Sequence, residues 1–285
     1  MSRPIRRMWA TRPIETKVSS SSRGNDKLLQ QLKETVATAN RILAHTGLSV
    51  GPTAYLGHAS SRLGKDKIVM KGRGYPIDSL AKMRGEDMII LDMEGNVLNG
   101  PPGVIPQNEV KMHTRIYLAR KDVGGVVHVH PRYSVLLSVL GKTIVPVCNE
   151  GIEFAVKPVP VYNNNELICF DNQGDAVVKV MGKSNAVLLR GHGAVTSGRS
   201  VQEATINMII LEEQARMNFL AMQAGGIKHG HIPIAQAKAF LDFYPTMGNV
   251  PVLKKAAKEK GHKRTSGIEK LWTIYSDLVR DDKTA

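Results

Sequence analysis

Cysteine is almost absent from this 285-residue chain, which holds only Cys148 and Cys169. Two thiols cannot build a disulfide framework, so the fold must rest on its apolar core, and a reducing compartment, the cytoplasm, is the expected location. No run approaches 18 apolar residues, so no membrane-spanning helix is expected. The N-terminal stretch lacks the apolar segment of a secretion signal. It is rich in Arg and Ser and poor in acid, as transit peptides are, but Pro4 and Pro13 interrupt any amphipathic helix there. Acidic residues are outnumbered 25 to 39 by Lys and Arg, giving a net charge of +14. Mean hydropathy is −0.17 and 42% of residues are hydrophobic, which is globular composition and excludes a disordered chain.

The excess positive charge is concentrated at two places. Residues 1–25 carry Arg3, Arg6, Arg7, Arg12, Lys17 and Arg23 against Glu15 alone; residues 254–264 carry Lys254, Lys255, Lys258, Lys260, Lys263 and Arg264 against Glu259. A nucleic-acid binder is expected to interleave aromatics or a reading motif with such charge. Only Trp9 accompanies the first run and none the second, so a solvated basic arm (1–25) and a basic linker are expected, and no nucleic-acid partner.

Between these lies a mixed pattern. Asp26 reads as the N-cap of a helix over Lys27 to Ala44 that Gly47 stops. Strands are expected at Ala54–Ser60, Ile68–Lys71 and Met88–Asp92, the last followed by a hairpin turn at Glu94-Gly95-Asn96. Glu109 to Arg120 is helical and Gly125–His130 is a strand. Pro131 opens a helix through Leu140. Further strands are expected at Ile144–Cys148, Lys157–Val161 and Ala186–Leu189, and a helix at Ala176–Met181. Gln202 to Met222 is the longest amphipathic helix, ended by Gly225-Gly226. Helices at Ile234–Phe243 and Gly267–Val279 follow. No regular βαβ repeat appears, and the class is a layered α/β domain (26–225) with a helical C-terminal extension (226–285).

The histidines carry the chemistry. His128 and His130 sit two apart in the β-branched run Val126–His130, and period-two geometry puts both imidazoles on one strand face, about 7 Å apart at Cα. That spacing suits chelation of one divalent ion; it also suits two ordinary surface residues. In Arg190-Gly191-His192-Gly193 an apolar strand ends in a histidine flanked by glycines, which leaves room for something bulky to approach. Together the three supply nitrogen ligands with coordination positions left open, as a catalytic metal requires. Glu109, after the Pro-rich loop and at a helix start, is favoured there by the helix dipole alone. It is also placed to act as a base or an occasional ligand.

Four segments in this order, Gly57-His58-Ala59-Ser60-Ser61-Arg62, Glu109…His113…Ile116-Tyr117, Val126–His130 and Arg190-Gly191-His192-Gly193, resemble the class II aldolase/adducin family over roughly residues 27–225. The resemblance implies a three-layer α/β/α sandwich, with His128, His130 and His192 as metal ligands and Glu109 as the acid/base carboxylate. It also implies a cyclic homotetramer with sites at subunit interfaces. Imidazole ligands suit Zn²⁺, Mn²⁺, Co²⁺ or Fe²⁺. Adducin-like members have lost the metal and serve as scaffolds; this chain keeps all three histidines.

The chain departs from the family's sugar-phosphate aldolases where they bind phosphate, with Thr/Ser-Gly after the second strand and Ser-Ser before the Glu. Here those places read Lys71-Gly72-Arg73-Gly74 and Gln107-Asn108. Lys71 and Arg73 suit a carboxylate, though such cations also take a phosphate or simply stand solvated in a loop; the carboxylate pattern resembles the branch that decarboxylates hydroxylated aromatic or pyridine carboxylic acids. A metal-dependent carbon–carbon lyase acting on a small carboxylate is therefore expected. The alternatives are an aldolase of a hydroxy-oxo acid or sugar phosphate and an adducin-like scaffold. His58 and Ser60 are candidate substrate contacts, and His113 is expected to be packed rather than catalytic. Tyr162 and Tyr244 are candidate proton donors from a neighbouring subunit, and His229 and His231 repeat the chelating spacing after Gly225-Gly226.

Overall fold

The structure is a computed structural model and describes residues 22–49, 54–226, 230–261 and 265–280. The expected basic arm therefore lies, up to residue 21, outside the described residues. Eight strands among those described form one sheet: β1 (His58–Leu63), β2 (Lys67–Lys71), β3 (Met88–Asp92), β4 (Val97–Asn99), β5 (Gly125–Val129), β6 (Val161–Tyr162), β7 (Ala186–Leu189) and β8 (Gly193–Gly198). Their order is β4-β3-β2-β1-β5-β8-β7-β6, antiparallel throughout except for the β6–β7 pair. The helices are α1 (Ser22–His45), α2 (Val110–Ala119), α3 (Arg132–Val139), α4 (Asp171–Met181), α5 (Val201–Gly225), α6 (Ile234–Phe243), α7 (Pro251–Lys260) and α8 (Gly267–Leu278).

Side-chain alternation divides the core into two layers. On one face Val69, Val127, Val129 and Leu188 pack with Val36 and Leu43 of α1, Ile206 and Ile210 of α5, and Leu137 of α3. On the other, Ile68, Met70, Val126, Val187 and Val195 pack with Met112 and Ile116 of α2 and Val177 and Met181 of α4. This is the expected α/β/α sandwich. A sheet buried on both faces explains why its strands read as near-continuous apolar runs.

Several expectations are corrected. Helix α1 begins ahead of Asp26, which lies inside it rather than capping it. Strand β1 starts at His58, because Gly57 occupies a left-handed turn (φ 104°) where a Cβ would lie 2.7 Å from Val129 Cγ1. Ile144–Cys148 forms no strand. Its ladder partners are replaced by side chains of α5: Asn218 accepts from Val145 N–H (2.9 Å) and donates to its carbonyl (2.8 Å), and Gln214 accepts from Val147 N–H (3.1 Å). Of Lys157–Val161 only the end joins the sheet, as β6. The basic linker is largely helical, as α7, with Pro251 in its first turn and Gly261 in the left-handed conformation (φ 63°) after its end; residues 262–264 lie outside the described residues.

The C-terminal extension packs on the domain. Ser266 and Glu269 close a reciprocal capping box on α8, whose Ile268 is buried in the α1–α5 layer, with Trp272 and Tyr275 partly buried against it. Ala237 and Leu241 of α6 form a separate apolar cluster with Ile152 and Val156.

Candidate metal centre

Strand β5 presents His128 on the α2 face of the sheet, and His130 follows one residue beyond the strand's end on the same side. His192 occupies the turn joining β7 to β8. Glu109 is the N-cap of α2, yet its side chain makes no capping hydrogen bond. It turns inward instead, where Oε1 accepts the Ile168 N–H at 3.0 Å. The donor atoms of Glu109, His128, His130 and His192 all lie within 4.8 Å of one another, and the three imidazoles stand nearly edge-on with centroids 5.0–5.1 Å apart. Gly193 makes this convergence possible: a Cβ there would lie 2.8 Å from His128 Cε1 and 3.0 Å from His130 Cδ2. The bulky groups approaching the glycine turn are the other two histidines.

The donor set matches a divalent cation. His128 Nδ1 donates to the Ala194 carbonyl at 3.0 Å, leaving Nε2 as the lone-pair nitrogen, a backbone partner typical of metal-ligating imidazoles. That Nε2 lies 3.2 Å from His130 Nε2 and 3.4 Å from Glu109 Oε2. Both ring nitrogens of His192 are buried with no hydrogen-bond partner among the described residues, and Nε2 is 3.5 Å from Glu109 Oε1. Lone pairs converging on a carboxylate with two buried nitrogens orphaned are the arrangement a bound cation resolves. Burial, and then His128 and His192, hold the His130 pKa down to about 3, so its imidazole is neutral as ligation requires. Burial raises the Glu109 pKa, but His128 and His192 outweigh it and keep the carboxylate ionised far below its ordinary range.

A second buried group adjoins the cluster. His58 pairs with His128 across β1 and β5, with ring centroids 5.2 Å apart. Its Nδ1 lies 2.7 Å from His113 Nε2, while His113 Nδ1 lies 2.6 Å from Ser60 Oγ. The Tyr117 hydroxyl is 2.9 Å from Ser60 Oγ and 3.0 Å from the Ser60 carbonyl. Burial, and then neighbouring histidines, lower both imidazoles, His113 to about 3 and His58 well below its ordinary value. Ser60 is fully buried with its hydroxyl engaged by His113 and Tyr117, so it underlies the site rather than meeting a substrate. His113 is packed, as expected, but within a polar network whose extent the sequence reading missed. The spacing of Glu109, His113 and Tyr117, four residues each time, was the available signal, since it places all three on one face of α2.

The two expected cations separate. Lys71 pairs in register with Met88 on the α1 face of the sheet, is 1% exposed, and bonds Asp78 over the ring of Tyr75. It is therefore not a free clamp, because it sits on the sheet face opposite His58 and His128. Arg73 is half-buried beyond the strand. Its backbone pairs with Ile105, and its guanidinium bonds the Asn108 side chain, next to Glu109. The Tyr162 hydroxyl bonds Glu166, and Tyr244 meets Phe240 at a 46° tilt, ring centroids 5.7 Å apart, in the α6 cluster. His231 is exposed, and His229 lies outside the described residues.

Residues 34–219 match the family model described as Class II Aldolase and Adducin N-terminal domain. The chain is 34% identical over 223 residues to a 3,4-dihydroxyphthalate decarboxylase of Terrabacter sp. (strain DBF63), covering 75% of this chain and 90% of that one. It is 31% identical over 145 residues, 50% of this chain and 74% of the other, to an L-fuculose phosphate aldolase of Methanococcus maripaludis. Among solved structures, an aldolase II superfamily protein from Pseudomonas syringae superposes with a TM-score of 0.71 at 19% identity, over 93% of this chain and 96% of that one.

Proposed function

Because the chain belongs to the class II aldolase and adducin family, we propose that it is a divalent-metal-dependent carbon–carbon lyase that decarboxylates a hydroxylated aromatic acid of the dihydroxyphthalate kind. The observation carrying the substrate class is the length of its likeness to a dihydroxyphthalate decarboxylase, 75% of the chain against 50% for the fuculose phosphate aldolase. The loops beside Glu109 support it: Lys71–Gly74 and Pro101–Asn108 contain no Ser or Thr to cradle a phosphate, but they do place Arg73 at Asn108.

His128, His130 and His192 would hold one ion per subunit, with Glu109 alongside; Zn²⁺, Mn²⁺, Co²⁺ and Fe²⁺ all suit such ligands. Bound there, the ion supplies Lewis acidity for charge developing on a substrate oxygen as the carbon–carbon bond breaks. Glu109, ionised and buried, takes the proton of the neighbouring substrate hydroxyl as that hydroxyl ketonises and returns it to the ring carbon that loses carbon dioxide. His58 meets the substrate from β1, and Arg73 forks onto the carboxylate that is retained. We assign residues 26–225 to catalysis and 226–285 to an appended helical unit. Among the described residues no helix is long and apolar enough to cross a membrane, and the free thiols suit the cytoplasm.

In this scheme the subunits form a cyclic tetramer, for which exposed Val139 and Leu140 at the end of α3, beside the His192 turn, offer an apolar surface. Tyr162 and Tyr244 would then be candidate proton donors to a neighbouring site.

Arg73→Ala should raise KM about ten- to a hundred-fold, the loss of a charge-assisted hydrogen bond of about 1.5–3 kcal/mol, and move kcat much less. Arg73→Lys should recover part of this, since an ammonium cannot reproduce the planar fork. Steady-state kinetics with both constants unchanged in Arg73→Ala would remove the clamp.

Aldol cleavage is the second reading, favoured by the fuculose phosphate aldolase likeness. A panel of ortho-hydroxylated aromatic dicarboxylates, hydroxy-oxo acids and sugar phosphates separates the two. Carbon dioxide release from the first group supports decarboxylation, and carbonyl fragments from the others support the aldolase. A protein that does neither and binds no metal is an adducin-like scaffold.

A further inference from the structure

A buried lysine takes no part in the proposed chemistry, yet it is bonded to the loop that carries Arg73. The Lys71 ammonium pairs with Asp78 and donates to the Gly72 carbonyl at 3.1 Å. The other carboxylate oxygen of Asp78 accepts the Gly74 N–H at 3.1 Å. The Tyr75 hydroxyl accepts the Gly72 N–H at 2.9 Å and donates to the Asp87 carbonyl at 2.7 Å, and the Lys71 ammonium lies 5.5 Å from the centre of its ring. From the opposite side, Ile105 exchanges both main-chain bonds with Arg73 (2.9 and 3.1 Å), and the Gln107 amide donates to the Gly72 carbonyl. Every direction here is set by chemistry, because ammonium and main-chain N–H groups only donate and carboxylate and carbonyl oxygens only accept. All three main-chain N–H groups of the 72–74 loop are thus taken up inside the protein.

We infer that Lys71, Tyr75 and Asp78 are positioning residues that lock the 72–74 loop and so hold out the Arg73 guanidinium as the loop's one donor group for a planar carboxylate. The bond to Asn108 orients that guanidinium and uses part of its five N–H groups, leaving others to fork onto an anion. A phosphate held by a loop is gripped by main-chain N–H groups, and here those are occupied, one of them by the Asp78 carboxylate. Stability alone does not call for Lys71, since burying an ammonium is costly even when paired, and apolar replacements of such pairs often fold as well or better. The inference rests on the reading of Arg73 as the clamp for the retained carboxylate; the locking of the loop does not.

Two replacements release the loop without changing net charge. Tyr75→Phe removes the hydroxyl between Gly72 and Asp87, and the paired Lys71→Met/Asp78→Asn removes the ion pair while leaving no buried charge alone. Hydrogen exchange over residues 70–79, read by mass spectrometry, should quicken about tenfold in both, because opening of the loop governs it. Unchanged exchange overturns the inference, whatever the protein binds. Metal-loaded protein is then titrated with phthalate and with benzoate, which differ by one carboxylate. Wild type should prefer phthalate by about tenfold or more, the effect of one charge-assisted hydrogen bond, and Arg73→Ala should bind the two within about twofold of each other. Both release variants should lose at least about fivefold of that preference, with benzoate affinity and metal content within about twofold of wild type, a smaller effect than losing the Arg73 bond outright. A folded variant that keeps the preference overturns the role of the residues it alters. Equal loss of phthalate and benzoate affinity marks general damage and overturns the inference, as does failure of both variants to fold; if one folds, it decides. A wild type without the preference, or Arg73→Ala that keeps it, refutes instead the clamp reading, and exchange still reports whether the three residues hold the loop.

Discussion

His192→Ala should give a folded protein that binds metal at least about 100-fold more weakly than wild type and has no measurable turnover. Loss of outer-shell partners alone typically weakens a site about 10–100-fold, and a direct ligand should count for more. Folding should survive because the His192 ring nitrogens bond nothing among the described residues, so truncation orphans no partner. The flanking turn is held by its backbone, with Gly191 at φ 68° and its N–H donating to Ser138 Oγ at 3.1 Å. Metal stoichiometry after dialysis and the thermal midpoint with and without Zn²⁺ or Mn²⁺ are the measurements. Wild type should gain stability on metal addition, since an ion that binds only the folded state stabilises it, and the variant should not. Equal stoichiometry in the two proteins would sink the assignment.

Glu109→Gln is the other large effect. The amide oxygen can still accept the Ile168 N–H, so α2 should start where it does now and most of the metal should remain. What disappears is a buried negative charge able to exchange a proton, and kcat should fall by a factor of about 10² or more. Single-turnover kinetics beside metal analysis distinguish this from a binding defect. Turnover near wild type with metal intact would remove Glu109 from the chemistry.

How much of this was legible in the sequence differs from one element to the next. Strands β3 and β7 and helix α6 run where their apolar patterns end, at Met88–Asp92, Ala186–Leu189 and Ile234–Phe243. Each is bounded by turn residues or opened by a proline. The segment Ile144–Cys148 reads just as apolar but pairs with amide side chains of α5, more than 60 residues away, which no local pattern encodes. The basic stretch after residue 250 has the charge of a solvated linker but folds as α7, because Ala, Lys and Glu all favour a helix.

The sequence by itself determined the four groups of the candidate centre. His128 and His130 share a face because strands have period two, and Gly193 must be glycine wherever three imidazoles converge. Only the tertiary structure decided the fate of the neighbouring polar residues. Lys71 and Arg73 are two apart and equally charged in the sequence. One falls inside the strand, in register with Met88, and pairs with Asp78, whereas the other lies beyond the strand's end and reaches Asn108. His58, His113, Ser60 and Tyr117 likewise looked separable until β1 and α2 packed together and joined them through hydrogen bonds. Spacing along a chain fixes which side of an element a residue occupies; what meets it there depends on which other element packs against that side, and in a sheet buried on both faces that is a long-range choice.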